Sequence, residues 1–218
     1  MRSRKKSYTQ HELIHNPYIV KQAKILLGNW QSTYFKNLNP INIEIGTGKG
    51  MFLNTISDQN NNINFIGIEK EKEIISMAAR LILGEQKIKT KQNIALMLAS
   101  GQDILQYFAE DEINKIYLNF SDPWPKTKNM KRRLTYTTFL NSYKHILKKG
   151  GILAIKTDNM SLYDFSLSEL KKNNWGILNC TTNLHATQFH TLGSNIMTEY
   201  ETKFSKKGMN IYMIEATV

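Results

Sequence analysis

Residues 41–50 constrain the fold of this chain more than any other stretch. Ile41-Asn42-Ile43-Glu44-Ile45 has the composition of a strand and runs straight into Gly46-Thr47-Gly48-Lys49-Gly50. A helical pattern follows, apolar at Met51, Phe52, Leu53 and Ile56, and ends in the polar run 58–62. Strand, glycine loop and helix form a βα turn, in which a backbone without Cβ atoms lets a ligand approach closely. Two nucleotide-binding patterns fail here. Met51 occupies the third glycine position of G-x-G-x-x-G, and Gly50 rather than Ser or Thr follows Lys49, which breaks the P-loop pattern.

The surviving pattern, Glu44-x-Gly46-x-Gly48-x-Gly50, resembles motif I of the S-adenosylmethionine-dependent methyltransferases. One βα unit further on, the apolar run from Asn64 to Ile68 ends in Glu69. An acidic residue at the end of a second strand is placed to accept hydrogen bonds from both ribose hydroxyls of a nucleoside cofactor. Helix 72–83, with Gly84 as its stop, and strand 94–99 follow. Ser100-Gly101-Gln102-Asp103 then leads to a short helix, 104–108, for which Asp103 is the expected cap. Strand 113–118, helix 137–147 (stopped by Lys148–Gly151), strand 152–156, helix 161–172, strand 177–180 and a closing strand 211–218 complete the pattern. Strands alternate with helices throughout, so the fold class is α/β, one Rossmann-like domain around a mostly parallel sheet.

Beyond the strand at 113–118 lies Asn119-Phe120-Ser121-Asp122-Pro123-Trp124-Pro125-Lys126. Each proline biases the residue before it, Asp122 and Trp124, toward an extended backbone. A carboxylate, an indole and a lysine are thus presented on a stiff arm past a strand end, where open α/β sheets bind ligands. Lys126, Lys128, Lys131, Arg132 and Arg133 make a cationic fringe suited to phosphates. Acid, flat aromatic and basic fringe together suggest chemistry on a nucleic-acid base. A solvated Pro-rich turn beside an incidental basic loop is the bland alternative.

Composition narrows the partners. The 218 residues carry 29 Lys and Arg against 18 Asp and Glu, a net charge of +11 that favours an anionic partner. No apolar run reaches the ~18 residues of a membrane span, no signal-peptide core follows the N-terminus, and no basic amphipathic helix supports membrane binding. With Cys180 the single cysteine, a reducing, cytoplasmic setting is expected. Residues 1–38 read as a basic arm with Arg2, Arg4, Lys5 and Lys6, then short helices opened by a capping-box pattern, Thr9-Gln10-His11-Glu12. Residues 39–218 form the main domain. His11-Glu12-Leu13-Ile14-His15 matches H-E-x-x-H, but Asn16-Pro17 ends that helix at once and no third ligand declares itself, so no metal is expected. His185 and His190 fall in a loop-like stretch and read as solvated.

Taken together, the chain resembles the bacterial tRNA (guanine-N7-)-methyltransferases. The matching stretches are Ile43–Gly50, Tyr117–Lys126, Lys131–Tyr136, Lys156–Asn159 and Asn195–Phe204, in the family's order over nearly the whole chain. The resemblance implies a seven-stranded sheet with the last strand antiparallel. It implies methyl transfer from S-adenosyl-L-methionine to N7 of a guanine in the variable loop of tRNA, by a monomer or homodimer. Carried over by motif, Glu44, Gly46 and Gly48 hold the cofactor's methionine part and Glu69 its ribose. Asp122 lies between cofactor and substrate as the catalytic residue. Lys126, Asp158, Thr198, Glu199, Tyr200 and Glu201 contact the nucleotide, and Lys131, Arg132 and Arg133 the tRNA phosphates. One departure stands out: where the family usually has Asn-Asp-Ala, this chain has Ser100-Gly101. Ser100 keeps a hydroxyl and a backbone for the adenine side, and Asp103 is a second candidate.

The chemistry agrees from the other direction. Guanine N7 has a lone pair and no proton, so its methylation requires neither a general base nor a covalent nucleophile. In-line alignment supplies the acceleration, and carboxylates such as Asp122, Asp158, Glu199 or Glu201 stabilise positive charge developing on the purine. Trp124 either stacks on a base or packs under its loop. Two other readings remain open from sequence: an amino-group methyltransferase acting on adenine or cytosine, where Asp-Pro-aromatic sequences also occur, and a non-catalytic RNA-binding protein.

Overall fold

The computed structural model describes residues 7–84, 91–187 and 195–218. The basic residues Arg2, Arg4, Lys5 and Lys6, and also His190, lie outside them. Seven strands follow one another in space in the order β3-β2-β1-β4-β5-β7-β6, and the chain divides after Phe108 into two compact units.

The first unit contains α1 (Thr9–His15), β1 (Ile41–Ile45), α2 (Met51–Gln59), β2 (Asn64–Glu69), α3 (Lys72–Leu83) and β3 (Ile94–Leu98). β1, β2 and β3 pair in parallel, with Ile43 opposite Ile66 and Ile66 opposite Ala95. All of β1 is buried, including the polar Asn42 and Glu44 that alternate with its isoleucines. The segment before β1 packs into this unit. Ile19 bridges Leu96, and the fully buried Trp30 donates from Nε1 to the Tyr107 carbonyl at 2.9 Å while stacking on Phe108. The capping box expected at Thr9 does not form. α1 begins one residue after Tyr8 with no side-chain cap, and Glu12 accepts from Asn16 Nδ2 instead.

A second expectation changes at the end of β3. The short helix is a 3-10 turn, Gly101–Gln106, and its cap is Ser100, whose Oγ accepts from Gln102 N at 3.2 Å. Asp103, the expected cap, is exposed and accepts from Gln106 Nε2 at 3.4 Å. Ser100 wins because it holds the extended N-cap position just before the turn, whereas Asp103 already lies within it.

The second unit contains β4 (Ile113–Asn119), α4 (Thr137–Ile146), β5 (Leu147–Thr157), α5 (Met160–Lys172), β6 (Gly176–Thr181), α6 (Glu199–Ser205) and β7 (Tyr212–Thr217). β4 and β5 are parallel, and β7 runs antiparallel to both β5 and β6, as expected of the last strand. Lys148–Gly151 does not separate α4 from the next strand. β5 starts directly at Leu147, which pairs with Ile113, and the register shifts before the pair Lys115–Ile152. Gly150 takes φ +76°, and a Cβ on Gly151 would meet the Lys148 carbonyl at 2.7 Å, so the two glycines form a bulge inside the strand. Among the described residues no helix is long and apolar enough to cross a membrane.

Candidate active site

The first unit supplies the glycine loop. Gly46, Gly48 and Gly50 all have positive φ, at +83°, +58° and +81°. A Cβ built on Gly46 meets nothing within 4 Å, and one on Gly48 meets only the Gly46 carbonyl, at 4.0 Å. Gly50 differs: a Cβ there would sit 2.9 Å from Ala78 Cβ, so this glycine seats the loop against α3. The loop is tied down from both ends. Gly46 N and Thr47 N donate to the Ile68 carbonyl, and Thr47 Oγ1 donates to the buried Glu44 carboxylate at 2.6 Å.

Glu69, at the end of β2, reaches back to the same loop. Its Oε2 accepts from Gly48 N at 3.1 Å, while Oε1 accepts from Lys70 N at 2.8 Å and Glu71 N at 3.1 Å. Three backbone donors fix the carboxylate and leave lone-pair capacity for hydroxyl donors. Open space over Gly46 and Gly48, a fixed acceptor at Glu69 and the half-buried Ser100 hydroxyl are the groups here that could hold a nucleoside cofactor.

The second unit supplies the arm beyond β4. Asp122 and Lys126 are exposed, and Trp124 is half-buried with the Arg132 guanidinium 4.9 Å from its ring centre. Phe120 and Trp124 have φ of +53° and +41°, so Trp124 is left-handed rather than extended as its following proline suggested. Arg133 bonds the carbonyls on both sides of Trp124. Its Nε donates to the Pro123 carbonyl at 2.9 Å and its Nη2 to the Trp124 carbonyl at 3.2 Å. Lys131 and Arg132 are exposed, whereas Arg133 is buried and lies over the Phe165 ring, so it is turned away from the fringe to which the sequence assigned it.

The third group gathers around Glu201, whose side chain is completely buried. Glu201 Oε2 pairs with Lys156 Nζ at 3.1 Å. Oε1 accepts from Asn195 Nδ2 at 2.6 Å and lies 2.9 Å from His185 Nε2. Lys156 also bonds Asn195 Oδ1 and the Ile196 carbonyl. Thr198 caps α6, its Oγ1 accepting from Glu201 N at 2.9 Å. Of the four residues predicted to contact the nucleotide here, Glu199 and Tyr200 are exposed and Thr198 and Glu201 are buried. Asp158 is half-buried at the end of β5, next to Asn159, whose Oδ1 caps α5 through Leu162 N. His185, read as solvated, belongs to this group; Asn195 and Lys156 were seen only as motif members. Their sole signal was the presence of two polar side chains and a lysine near a buried glutamate, which is invisible before the fold is known.

His11 and His15 lie ring to ring at 4.7 Å on α1, and among the described residues no three His, Cys, Asp or Glu side chains come together as a metal site.

A strand order of 3-2-1-4-5-7-6 with an antiparallel seventh strand and a glycine loop after the first defines a Rossmann-like methyltransferase domain. A family model described as a putative methyltransferase matches residues 38–214. A tRNA (guanine-N(7)-)-methyltransferase of Streptococcus mutans is 42% identical over 217 residues, 99% of each chain. One from Brevibacillus brevis is 41% identical over 201 residues, 92% of this chain and 91% of its own. Among solved structures, an antibiotic-related methyltransferase superposes with a TM-score of 0.65 at 14% identity, covering 91% of this chain and 96% of its own. The 16S rRNA methyltransferase KamB gives 0.64 at 9% identity over 86% and 91%. The chain belongs to the tRNA (guanine-N7-)-methyltransferase family.

Proposed function

We infer that this protein transfers a methyl group from S-adenosyl-L-methionine to N7 of a guanine in the variable loop of tRNA, in the cytoplasm. The observation that carries the transfer reading is the cradle itself: two glycines with positive φ and open space where Cβ atoms would be, tied by Gly48 N to Glu69. When bound, the cofactor supplies a methyl group on a positively charged sulfur. Glu44, through Thr47, holds the loop to which the amino-acid part binds. Glu69 accepts from the ribose hydroxyls, and Ser100 serves the adenine side in place of a carboxylate.

Guanine N7 attacks with its own lone pair, so no side chain has to remove a proton. The chain's task is to position the base and to stabilise the charge that grows on it. Asp122 is exposed on the arm and carries the carboxylate for that charge; Asp158 and Glu199 orient the base by accepting from its amino and imino groups. Tyr200, on the outer face of α6 beside Phe120 and Phe204, offers a ring for stacking. Glu201 acts from inside, keeping Thr198–Tyr200 in place through Lys156. Lys126, Lys131 and Arg132 position the tRNA by its phosphates.

The test is transfer of a radiolabelled methyl group to unmodified tRNA, followed by nucleoside mapping. Label recovered as N7-methylguanine from the variable loop supports the reading. Label in N6-methyladenine assigns the amino-group chemistry, and absence of transfer despite S-adenosylhomocysteine binding removes the tRNA substrate.

A further inference from the structure

We propose that Arg133 is a positioning residue for the Asp122 arm and not a contact to tRNA phosphate; the role rests on the methyl-transfer reading above. Trp124 holds a positive-φ backbone position in the middle of the arm. A bulky residue with φ of +41° is uncommon, and the following proline disfavours compact conformations further. Conformations of this kind cost on the order of 1–3 kcal/mol and persist only where the surroundings impose them. In an extended chain the carbonyls on either side of a residue point in opposite directions. A left-handed residue brings them to the same side, so Pro123 O and Trp124 O form a pair of neighbouring acceptors.

Arg133 fits that pair. Its Nε donates to Pro123 O at 2.9 Å and its Nη2 to Trp124 O at 3.2 Å. A guanidinium presents donors in a fixed planar fork, which a lysine ammonium cannot imitate. The fork is also anchored from behind. Arg133 is 7% exposed, and its guanidinium carbon lies 4.3 Å from the centre of the Phe165 ring on α5. Its own backbone is held on both sides, with Arg133 N donating to Met130 O at 3.0 Å and Tyr136 N donating to Arg133 O at 2.9 Å. Two residues later Thr135, also buried, hydrogen-bonds Ser166 on α5 at 2.8 Å.

The side chain therefore connects the helical layer to the arm through a short, stiff path. Burying a cation is costly unless it is hydrogen-bonded, and two carbonyls with an aromatic face provide the compensation. A guanidinium committed in this way is not available to a phosphate. Lys131 and Arg132, both exposed, remain for that purpose. Asp122 lies two residues before Trp124, so whatever releases Trp124 also moves the carboxylate. Displacement of a reacting group by about 1 Å is enough to cost on the order of a hundredfold in rate.

The experiment compares wild-type protein with Arg133→Lys and Phe165→Leu, using kcat and KM for methylation of unmodified tRNA, S-adenosylhomocysteine affinity, and the salt dependence of tRNA binding. Arg133→Lys keeps the charge and loses the fork. Its kcat is expected to fall roughly ten- to a hundredfold, with S-adenosylhomocysteine affinity and the slope of log affinity against log salt unchanged. Phe165→Leu, which keeps the arginine and removes the ring beneath it, is expected to lower kcat severalfold with the same slope. Phe165→Leu also decides the question should Arg133→Lys fail to fold. Wild-type kcat in Arg133→Lys overturns the role, as does wild-type kcat in Phe165→Leu where Arg133→Lys does not fold. So does an Arg133→Met variant whose salt slope drops by about 1 while kcat is kept, the signature of a lost phosphate contact. Wild-type protein that methylates no tRNA overturns the functional reading beneath the proposal. An active wild type matched by Arg133→Lys overturns the proposal alone.

Discussion

Lys156 Nζ lies 3.1 Å from Glu201 Oε2 in a place where the glutamate has no solvent exposure and the lysine little. Burial alone pushes the Glu201 carboxyl up. The Lys156 charge and the hydrogen bonds from His185, Asn195 and Lys156 outweigh that, so it sits below the usual carboxylate range. Glu215 is lowered in the same manner, burial opposing and Lys115 and Asn179 prevailing. A depressed folded pKa means stabilisation that is complete above the ordinary value of 4.5 and lost as pH falls through the folded value. Urea unfolding across pH 2–7 should therefore show stability declining below about pH 4.5. Glu201→Gln should make that decline shallower, with the Glu215 contribution retained, and should cost about 1–3 kcal/mol at neutral pH because Lys156 stays behind without its counter-charge. Equal acid slopes in the two proteins count against the pair.

The three loop glycines separate stability from binding. Gly46→Ala meets no atom within 4 Å, so its cost in the free protein is the positive φ alone, about 1 kcal/mol. Gly50→Ala adds to that strain a 2.9 Å approach to Ala78 Cβ, and a cost of about 3 kcal/mol is expected. The order should invert for S-adenosylhomocysteine, whose affinity falls more with Gly46→Ala because the new methyl group enters the cradle. Calorimetric titration alongside thermal unfolding measures both. A Gly46→Ala protein that binds as well as wild type would place the cofactor elsewhere.

How much of this was legible in advance follows from which interactions are local. β1, the glycine loop and Glu69 declare themselves because each is a few contiguous residues under one steric or apolar demand. α3 likewise runs over Lys72–Leu83 as its apolar spacing and Gly84 predict. The Gly150-Gly151 pair misleads because glycine marks both a turn and a bulge, and only the pairing of Leu147 with Ile113 decides between them. Arg133 reads as one more cation of a basic run. Its inward direction depends on Phe165, 32 positions along the chain, and on carbonyls about ten positions back. His185 and Glu201 are 16 residues apart, and nothing local in the sequence pairs them. Local chemistry gives the strand, the glycine loop and the glutamate that bonds it; the groups joined by long-range polar contacts need the fold.

Asp122 is exposed on the arm, and its removal should leave the fold intact. Asp122→Ala is expected to shift stability by no more than about 0.5 kcal/mol. Its kcat on tRNA should fall on the order of a hundred- to a thousandfold, the range for loss of one group that stabilises developing charge. Melting temperature and S-adenosylhomocysteine affinity, measured on the same preparation, separate a chemical loss from unfolding. Full activity in this variant removes Asp122 from the mechanism.

Lys126, Lys128, Lys131 and Arg132 are all exposed along one stretch, within a chain of net charge +11. Each phosphate they neutralise releases condensed counterions, which adds roughly 0.7–0.9 to the slope of log affinity against log salt. Three or four contacts give a slope of about −2 to −4, so tRNA binding should weaken by more than tenfold between 50 and 200 mM salt. Lys131→Ala should reduce the slope by about 1 and weaken tRNAs of different sequence alike, since phosphates carry no sequence information. Fluorescence anisotropy with labelled tRNA over a salt series reads both quantities. A response flat in salt would take the docking surface away from this stretch and leave the arm to recognise its guanine by base contacts alone.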